Sequence, residues 1–539
     1  MQTNNTLWYK DAVFYEVYIR AFRDSNADGN GDLRGLAEKL DYIQELGATC
    51  LWLLPMYPSP LKDDGYDISD YYNIHPDYGS LDDFRFLLDE VHRRGMRVIT
   101  DLVLNHTSDQ HPWFQAARAD PQSPYRDYYV WSDTDQKYAE TRIIFLDTEP
   151  SNWTWDEQAG QYYWHRFFAS QPDLNYDNPR VQEEMLKILS FWLDMGVDGF
   201  RADAVPYLFE REGTNCENLP ETHQFMQKVR RYMDEHYPGR ILLAEANQWP
   251  EDVCPYFGDR AREFHMGFHF PIMPRIFMSL KKGERSSLEW ILERTPEIPD
   301  DCQWCIFLRN HDELTLEMVT DEERDWMWDE YAPIEQMRLN LGIRRRLAPL
   351  LDNERCKIEL AHSLLFTLPG SPIIYYGDEI GMGDDISLDD RNGVRTPMQW
   401  DDDVNGGFSG IGMQALYAPV INNSLYGFRT VNVAAQAADP DSLLNRIRHM
   451  IRVRKEQRAF GWGDFRWVKV GTDAVAAYLR RWEDGTLLVL NNLSDHAQDL
   501  SIASALRGRY EDLLTGDPLV IGAHLQLEPY GFVWLRRQS

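Results

Sequence analysis

The sequence predicts an α/β protein built on a closed (β/α)₈ TIM barrel, with a small domain inserted after the third strand and a C-terminal antiparallel β-sandwich. Three observations predict this fold. Short β-branched or apolar segments recur eight times between longer amphipathic segments. Two connections are much longer than the roughly two to six residues of ordinary βα loops. Near the C-terminus, short alternating segments replace the strand-and-helix pattern.

The eight predicted barrel strands share a run of apolar or β-branched residues bounded by polar ones. They cover residues 13–19, 49–54, 97–104, 199–204, 241–246, 267–271, 305–310 and 372–376. The segments between them, such as 81–94 and 180–195, place apolar residues three to four apart, as in helices with one buried face. Eight such units in succession predict a closed parallel barrel.

The predicted domain boundaries follow these changes in pattern. Residues 1–105 and 174–458 form the barrel. Residues 106–173 are rich in aromatic residues, Asp and Pro, and they predict a small irregular domain over the barrel mouth. Residues 320–353 are charged and contain Trp, and we expect helices there that act as a lid. Alternating segments after about residue 459 predict the C-terminal β-sandwich, 459–539.

Composition excludes several classes of function. The formal net charge of −32 opposes binding to nucleic acid and to anionic membrane surfaces, and it favours a neutral substrate. No segment has the ~18 consecutive apolar residues of a membrane-spanning helix, and the N-terminus does not resemble a secretory signal, so we expect a cytoplasmic protein. The six cysteines are scattered. Cys302 and Cys305 have redox spacing, but their apolar strand favours buried packing over a redox or zinc role.

Polar residues end four of the predicted strands, which matters because a barrel enzyme builds its active site at the carboxyl ends of its strands. These residues are Asn105 and His106 after the third strand, Arg201 and Asp203 on the fourth, Glu245 on the fifth, and Asn310, His311 and Asp312 on the seventh. A single carboxylate at such a position is usually a solvated residue or a helix cap. Three converging carboxylates instead favour acid–base and nucleophilic chemistry.

Cleaving a glycosidic bond with retention requires two carboxyl groups about 5 to 5.5 Å apart, one acting as nucleophile and the other as general acid. Neighbouring strand ends supply that spacing. A third carboxylate stabilises positive charge on the sugar, and its negative charge helps to keep the acid protonated.

The four segments resemble the strand-end motifs of the α-amylase superfamily, glycoside hydrolase family 13, and the resemblance extends over the whole chain. It implies that Asp203 is the nucleophile, Glu245 the general acid/base and Asp312 the transition-state stabiliser. It also implies that Arg201 holds the nucleophile in place, while His106 and His311 bind hydroxyl groups of the sugar that is cleaved.

Two further segments resemble the family's pocket for a single glucose. Asp63 and Tyr66 follow the second strand, where the family places a carboxylate on the distal hydroxyls and a Tyr beneath the sugar ring. Arg395 resembles the arginine that pairs with that carboxylate, and the Arg395–Asp63 pair would close the pocket behind one glucose. Without the resemblance, the first segment reads as a turn and Arg395 as a surface residue.

A first metal site is predicted in a loop with oxygen-bearing side chains at alternate positions around a Gly turn. Its residues are Asp24, Asn26, Asp28, Asn30 and Asp32. This spacing is that of an EF-hand Ca²⁺ loop, with Mg²⁺ as a second candidate. The Glu that usually completes such a loop is replaced by Gly35, so a looser site is expected. The alternative is an Asn- and Gly-rich turn without metal.

A second metal site is implied by the resemblance alone. It would join the side chains of Asn105, Asp173 and Glu210 with the backbone carbonyls of Tyr207 and Leu208. A Ca²⁺ ion there would be structural, fastening the inserted domain to the barrel. No organic cofactor is expected.

Three flanking segments, 54–61, 205–215 and 244–249, resemble the members of the family that interconvert maltose and trehalose. The implied reaction is retaining intramolecular glucosyl transfer through a covalent β-glucosyl-enzyme, with minor hydrolysis to glucose. A hydrolytic exo-acting α-glucosidase or oligo-1,6-glucosidase, a sucrose isomerase, and a non-catalytic sugar-binding member are the alternatives. A neutral disaccharide is the only partner predicted, and oligomeric state is left open, a homo-oligomer included.

Overall fold

The computed structural model describes residues 6–260, 262–483 and 485–538. At its centre lies a closed barrel of parallel strands in which each strand pairs with the next along the chain and the last pairs with the first. The strands are Phe14–Val17, Cys50–Leu53, Arg97–Val103, Gly199–Asp203, Ile241–Ala244, Met266–Phe268, Gln303–Phe307 and Ser371–Tyr375. All eight predicted strands are confirmed.

The barrel strands are buried on both faces, which explains why their sequences are continuously apolar rather than alternating. Inward-pointing residues fill the barrel. The rings of Trp52 and Phe268 meet there with centroids 5.6 Å apart. Most polar side chains of the strands lie toward their carboxyl ends, and this places the site at one face of the barrel.

Helices surround the barrel, and their ends match local sequence signals. Ser80 and Asp83 form a capping box before one helix, and Pro179 and Pro220 begin two others. Outside the inserted domain the α-helices are Ile19–Phe22, Leu33–Glu38, Leu40–Leu46, Leu81–Arg93, Pro179–Met195, Pro220–His236, Pro250–Val253, Ile272–Lys282, Ser286–Arg294, Asp321–Tyr331, Leu347–Leu350, Arg355–Thr367, Val433–Ala438, Leu443–Glu456 and Ala459–Trp462.

The inserted domain leaves the barrel after the third strand, as expected, and returns through antiparallel bridges from His106 to Asp173 and from Tyr129 to Leu174. It contains the helix Pro112–Ala119, which His111 caps, and a three-stranded antiparallel sheet. The strands of that sheet are Trp131–Ser132, Trp153–Asp156 and Gln161–Trp164. The rest is irregular, in agreement with the sequence.

The segment 320–353 forms less of a helical lid than expected. Its helix Asp321–Tyr331 packs against the outer helix Ile272–Lys282, where Tyr331 donates to the carbonyl of Phe277 at 2.7 Å. A hairpin of the short strands Arg338–Leu339 and Gly342–Ile343, paired with Leu314–Thr315, reaches the barrel mouth instead. The acidic helix carries too few apolar residues to cover an apolar opening.

The C-terminal domain consists of a six-stranded and a two-stranded antiparallel sheet with a separate apolar core between them. Its first strand begins at Asp464, since residues 459–462 form a short helix. The strands are Asp464–Trp467, Val475–Trp482, Gly485–Asn492, Gln498–Ser501, Gly508–Asp512, Pro518–Ile521, His524–Leu527 and Phe532–Arg537.

The 3₁₀ helices are short connections of three or four residues. They are Trp8–Lys10, Arg126–Tyr128, Val205–Tyr207, Cys254–Phe257, Glu335–Met337, Asp378–Ile380, Asn392–Val394, Val404–Gly407, Met413–Ala415 and Ser504–Leu506. Within the described ranges, no helix combines the length and the apolar character needed to cross a membrane. Cys302 and Cys305 are buried and unpaired, as the packing interpretation predicts.

Two buried arginines lie at the end of helix Arg355–Thr367, and one of them joins the barrel to the C-terminal sheet. Arg480 donates to the carbonyls of Thr367, Phe460 and Gly463 at 2.7, 2.9 and 3.0 Å. Arg454 donates to Phe366 and Gly370. Cations at a helix C-terminus are favourable because they meet the negative end of the helix dipole.

We expect Arg480→Ala to lower the free energy of unfolding by about 3 kcal/mol, because the change leaves two buried carbonyls and one partly buried carbonyl without a donor. Arg481 is the matched control, since it is exposed, and Arg481→Ala should change stability by less than about 0.5 kcal/mol. Denaturant unfolding of both variants measures the difference. Equal stabilities would contradict the role assigned to Arg480.

Candidate active site

A single buried arginine organises the carboxylates at the barrel mouth. Arg201, on the fourth strand, is 1% exposed. One of its terminal nitrogens, Nη1, contacts Asp101 at 2.5 Å and also the carboxylate of Asp203. The other, Nη2, contacts the carboxylate of Glu245. The two residues predicted to carry the chemistry thus lie on either side of one guanidinium.

The backbone after the nucleophile has an unusual conformation. Ala204 adopts the left-handed region, with φ 52° and ψ 37°, which is uncommon for a residue with a Cβ. This turn points the Ala204 N–H at Glu245, whose Oε2 accepts it at 3.0 Å. Glu245 is therefore fixed at both oxygens, one on Arg201 and one on the backbone.

The two carboxyl groups have different affinities for protons. Burial raises the pKa of Asp203 to about 6, against the lowering effect of Arg201. Burial also raises the pKa of Glu245 to about 7, again opposed by Arg201, while Asp203 and Asp312 raise it further. Near neutral pH the first is mainly ionised and the second is substantially protonated, which suits a nucleophile and an acid respectively.

The third carboxylate remains ionised because cations surround it. Asp312 lies 2.9 Å from both Arg391 and Arg395, and 3.1 Å from the Nε2 atom of His311. Burial alone would raise the pKa of Asp312. His311 and the two arginines nevertheless hold it well below its usual value. A permanent negative charge is thus placed beside the acid, as the sequence predicts.

The prediction of an ion pair between Arg395 and Asp63 is wrong. Arg391 pairs with Asp63 at 2.6 Å, whereas Arg395 binds Asp64, Asp312 and the His311 carbonyl. Asp64 has φ 47°, so the two neighbouring carboxylates point in different directions. The 3₁₀ turn between the arginines divides their roles: Arg391 lines the pocket, and Arg395 fastens the loop behind it.

Of the other predicted sugar-binding residues, Tyr66 and His106 line the same pocket, whereas His311 lies behind it with both ring nitrogens on protein groups. Tyr66 lies over the Arg201 guanidinium and donates or accepts a 2.9 Å hydrogen bond with His311. His106 is buried, and burial lowers its pKa to about 3, so its ring is neutral. Its Nε2 atom has no hydrogen-bond partner among the described residues, which leaves it free for a ligand hydroxyl.

Sequence reasoning missed half of the pocket. Four aromatic side chains, one isoleucine and five polar residues line the rest of it, and they are Ile144, Phe145, Phe167, Tyr207, Asn247, Phe270, Glu313, Thr315, Glu317 and Asn340. Two of them were open to prediction, because Asn247 and Glu313 directly follow the catalytic strand ends. The inserted-domain residues carry no local signal, since only the tertiary fold brings residues 144, 145 and 167 to the barrel.

The predicted metal ligands of the second site do come together. Asn105 Oδ1, Asp173 Oδ2 and Glu210 Oε1 are buried and have no hydrogen-bond partner among the described residues. Burial raises the pKa of Asp173 to about 8, and burial and Asp173 raise that of Glu210 well above its usual value. Tyr207 and Leu208 lie at the adjoining 3₁₀ turn. This donor set fits a hard cation.

The oxygens of the loop 24–32 do not indicate a cation in the same way, because backbone and side-chain groups already donate to them. Asp24 accepts from the backbone N–H groups of Asn26, Ala27 and Gly29 and from Ser409, and Asp32 accepts from Ser25 and Gly35. Asn26 and Asp28 likewise accept from the N–H groups of the residues two positions on. Metal binding by the loop stays a prediction.

The pKa values of the catalytic pair predict a narrow optimum for turnover of an α-glucoside. kcat/KM should fall below about pH 6 as Asp203 is protonated and above about pH 7 as Glu245 loses its proton. Because the two carboxyl groups interact, the two pKa values that limit the profile are properties of the pair and not of either residue alone. A profile of kcat/KM from pH 4 to 9 measures them, and a flat profile would contradict these assignments.

Comparison with known proteins agrees with this geometry. The family model for the α-amylase catalytic domain matches residues 16–338 and 343–463, and the model for the maltogenic amylase C-terminal domain matches 465–534. A trehalose synthase of Pimelobacter sp. is 56% identical over 98% of this chain and 96% of its own length. A trehalose synthase/amylase of Mycobacterium tuberculosis is 57% identical over 98% and 90%.

Solved structures show the same architecture. A trehalulose synthase crystallised with Tris superimposes with a TM-score of 0.81 at 29% identity, covering 98% of this chain and 100% of its own. An α-amylase from H. orenii gives 0.80 at 31% identity, covering 98% and 100%. The chain belongs to the α-amylase family, glycoside hydrolase family 13, in the group of its trehalose synthases.

Proposed function

We propose that this protein interconverts maltose and trehalose by moving one glucosyl unit within the bound disaccharide. The observation that carries the proposal is the pair of Asp203 and Glu245 held on one buried guanidinium, inside a pocket that the inserted domain closes. The full-length relatives named trehalose synthase support the choice of substrate.

In the first half of the reaction, an oxygen of Asp203 attacks the anomeric carbon of the glucose in the inner pocket. The bond from that carbon to the glycosidic oxygen breaks, and Glu245 gives its proton to the departing oxygen. Arg201 keeps Asp203 ionised until the attack. The product is a covalent β-glucosyl ester of Asp203 and a free glucose.

The inner pocket holds the glucosyl unit while its bonds change. Asp63, tied to Arg391 and Gln171, is placed to accept hydroxyl groups at the far end of the sugar. Asp312 balances positive charge that develops at the anomeric carbon. Tyr66 offers its ring to the apolar face of the sugar.

In the second half, the freed glucose must turn so that its own anomeric hydroxyl attacks the anomeric carbon of the glucosyl ester. The bond to Asp203 then breaks and releases the carboxylate, while Glu245 accepts the hydroxyl proton. The outer pocket suits a glucose that changes its orientation. Its lining combines the polar groups of Asn247, Glu313, Glu317 and Asn340 with aromatic rings. Such a lining binds a sugar in more than one pose without fixing any single one.

Isomerisation requires that water be excluded during that turn. Arg142 of the inserted domain reaches across the mouth and contacts Glu317 and Glu217, both at 2.8 Å, and the hydroxyl of Tyr207 at 3.2 Å. Nearby, the backbone N–H of Asn340 donates to Asp147 at 2.7 Å. The inserted domain and the hairpin thus meet above the pocket, which supports a closing role.

Incubation with maltose tests the proposal. We expect trehalose as the main product and glucose as a minor one. Arg142→Ala should raise the share of glucose about fivefold, since losing the partly exposed contacts shifts the closed state by about 1 kcal/mol. Chromatography of the sugars over time measures both products.

Lys137→Ala is the matched control, because Lys137 is an exposed cation of the same domain and forms no side-chain ion pair among the described residues. Its product ratio should equal that of the parent. Glucose as the main product of the parent would favour a hydrolytic α-glucosidase instead, the activity for which an oligo-1,6-glucosidase relative at 31% identity is named. No reaction with maltose or trehalose would exclude both.

We also propose that Asn105, Asp173 and Glu210 hold a structural Ca²⁺ together with the carbonyls of Tyr207 and Leu208. Their three unpartnered oxygens support this, because buried carboxyl groups without donors are costly unless a cation or protons neutralise them. The described residues contain no group of three or more His, Cys, Asp or Glu side chains that could hold a metal ion by themselves, so amide and carbonyl oxygens would complete the shell. When bound, the ion would fasten the inserted domain to the barrel.

Calcium should therefore raise the melting temperature of protein first treated with a chelator. At a concentration 100 times its Kd, the ion should add about 2.7 kcal/mol to the free energy of unfolding. Asp173→Asn should remove most of that gain, whereas Asp28→Asn tests the 24–32 loop separately. If calcium still raises the melting temperature of Asp173→Asn but not that of Asp28→Asn, the ion binds in the loop 24–32 instead.

We infer a reducing compartment, the cytoplasm. The support is that all six cysteines, each within the described ranges, are free.

A further inference from the structure

Glu16 is a buried carboxylate that the proposed mechanism has not used. It lies on the first barrel strand, is 0% exposed, and points into the barrel. Its Oε1 atom accepts from the backbone N–H of His311 at 3.2 Å and lies 2.5 Å from the ring nitrogen Nδ1 of the same residue. Burying a carboxylate in a barrel core is costly, so a specific partner is expected, and His311 is that partner.

The His311 ring lies between two carboxylates. On one side Nδ1 faces Glu16, and on the other Nε2 lies 3.1 Å from Asp312. A ring with an acceptor at each nitrogen is best satisfied as the doubly protonated imidazolium. Burial would lower the pKa of His311, but Asp312 and Glu16 together raise it to about 9.

We propose that Glu16 is a positioning residue for the glucosyl transfer described above, on which this inference rests. Its carboxylate fixes the orientation of the His311 ring and keeps that ring positively charged, so that Nε2–H is always donated to Asp312 and the Tyr66 hydroxyl, which line the glucose pocket. Trp52 restrains the same ring from the neighbouring strand, with centroids 5.7 Å apart.

The effect of Glu16 extends to the proton on Glu245. A charged His311 lowers the pKa of Asp312 and keeps it ionised. The negative charge of Asp312 in turn raises the pKa of Glu245. Glu16, His311 and Asp312 therefore alternate in charge from the barrel core to the pocket, where the negative charge of Asp312 favours the protonated form of Glu245.

Other titratable groups near His311 do not take over the role of the Glu16 carboxylate. Burial raises the pKa of the Cys305 thiol and the Tyr375 hydroxyl well above their usual values, so both stay neutral. Asp378 has a pKa of about 7 but pairs with Arg346 at 3.2 Å. Asp101, with a pKa of about 6, and Tyr66 face His311 from the pocket side. These groups act equally in the parent and in Glu16 variants, so their effects cancel in a ratio of rates.

Glu16→Gln and Glu16→Asp separate charge from shape. The Gln variant keeps an acceptor for Nδ1–H but loses the charge, so His311 loses its proton at a lower pH. We expect kcat for release of nitrophenol from p-nitrophenyl α-glucoside to stay within about threefold of the parent at pH 5.5 and to fall at least tenfold further behind by pH 8. The Asp variant keeps the charge, so its deficit should be the same at both pH values.

Glu379→Gln is the matched control, because Glu379 is another buried carboxylate that accepts two hydroxyl hydrogen bonds, from Tyr15 at 2.7 Å and Tyr42 at 2.5 Å, outside the pocket. Its rate ratio to the parent should not change with pH. A pH-independent ratio for Glu16→Gln, or the same pH dependence for Glu16→Asp, would overturn the proposal.

If Glu16→Gln does not fold, a double-mutant cycle of Glu16→Asp and His311→Asn tests whether Glu16 acts through His311. Glu16→Asp withdraws the carboxylate from Nδ1 and should lower kcat about tenfold in the parent but have no further effect in the His311→Asn background. An undiminished effect there would show that Glu16 does not act through His311. The aryl glucoside needs no sugar acceptor, so these outcomes are independent of whether maltose yields trehalose or glucose.

Discussion

The chemistry of this protein depends on placing a positive charge among carboxylates where water cannot reach. Arg201 contacts Asp101, Asp203 and Glu245 at once. Without it, three neighbouring acids in a buried site would take up protons, and no nucleophile would remain at neutral pH. Because the guanidinium is rigid and forked, it also fixes the relative positions of nucleophile and acid. The barrel supplies the frame, since adjacent strand ends converge on one point.

Positive and negative charges alternate through the rest of the pocket. Arg391 lies between Asp63 and Asp312, and His311 lies between Asp312 and Glu16. Each buried charge is therefore compensated by a neighbour, which keeps the cost of burial low while leaving strong local fields. A sugar without charge enters such a site without disturbing the balance, in agreement with the neutral substrate that composition favours.

Much of this was predictable from sequence, for physical reasons. Buried parallel strands leave continuous apolar runs, so all eight were found, and the residues that end them formed the catalytic group. Contacts set by loops were not predictable. The Arg391–Asp63 pair depends on a left-handed turn at Asp64, and the motif alone suggested Arg395. Phe145 and Phe167 reach the pocket from an irregular segment whose path follows no periodic pattern. Glu16 lay within a predicted strand, but its identity as a charged residue among apolar ones was the only signal.

The arginines at the end of helix Arg355–Thr367 bear on how the chain assembles. Arg454 comes from the barrel's last long helix and Arg480 from the C-terminal sheet, and both satisfy carbonyls at that one helix end. A barrel made without the sheet would lack Arg480, so the Thr367 carbonyl would lose its donor. Local opening of the sheet would then loosen the barrel's closing strand, which follows within four residues at Ser371. The two domains are separate in architecture but should behave as one cooperative unit of folding.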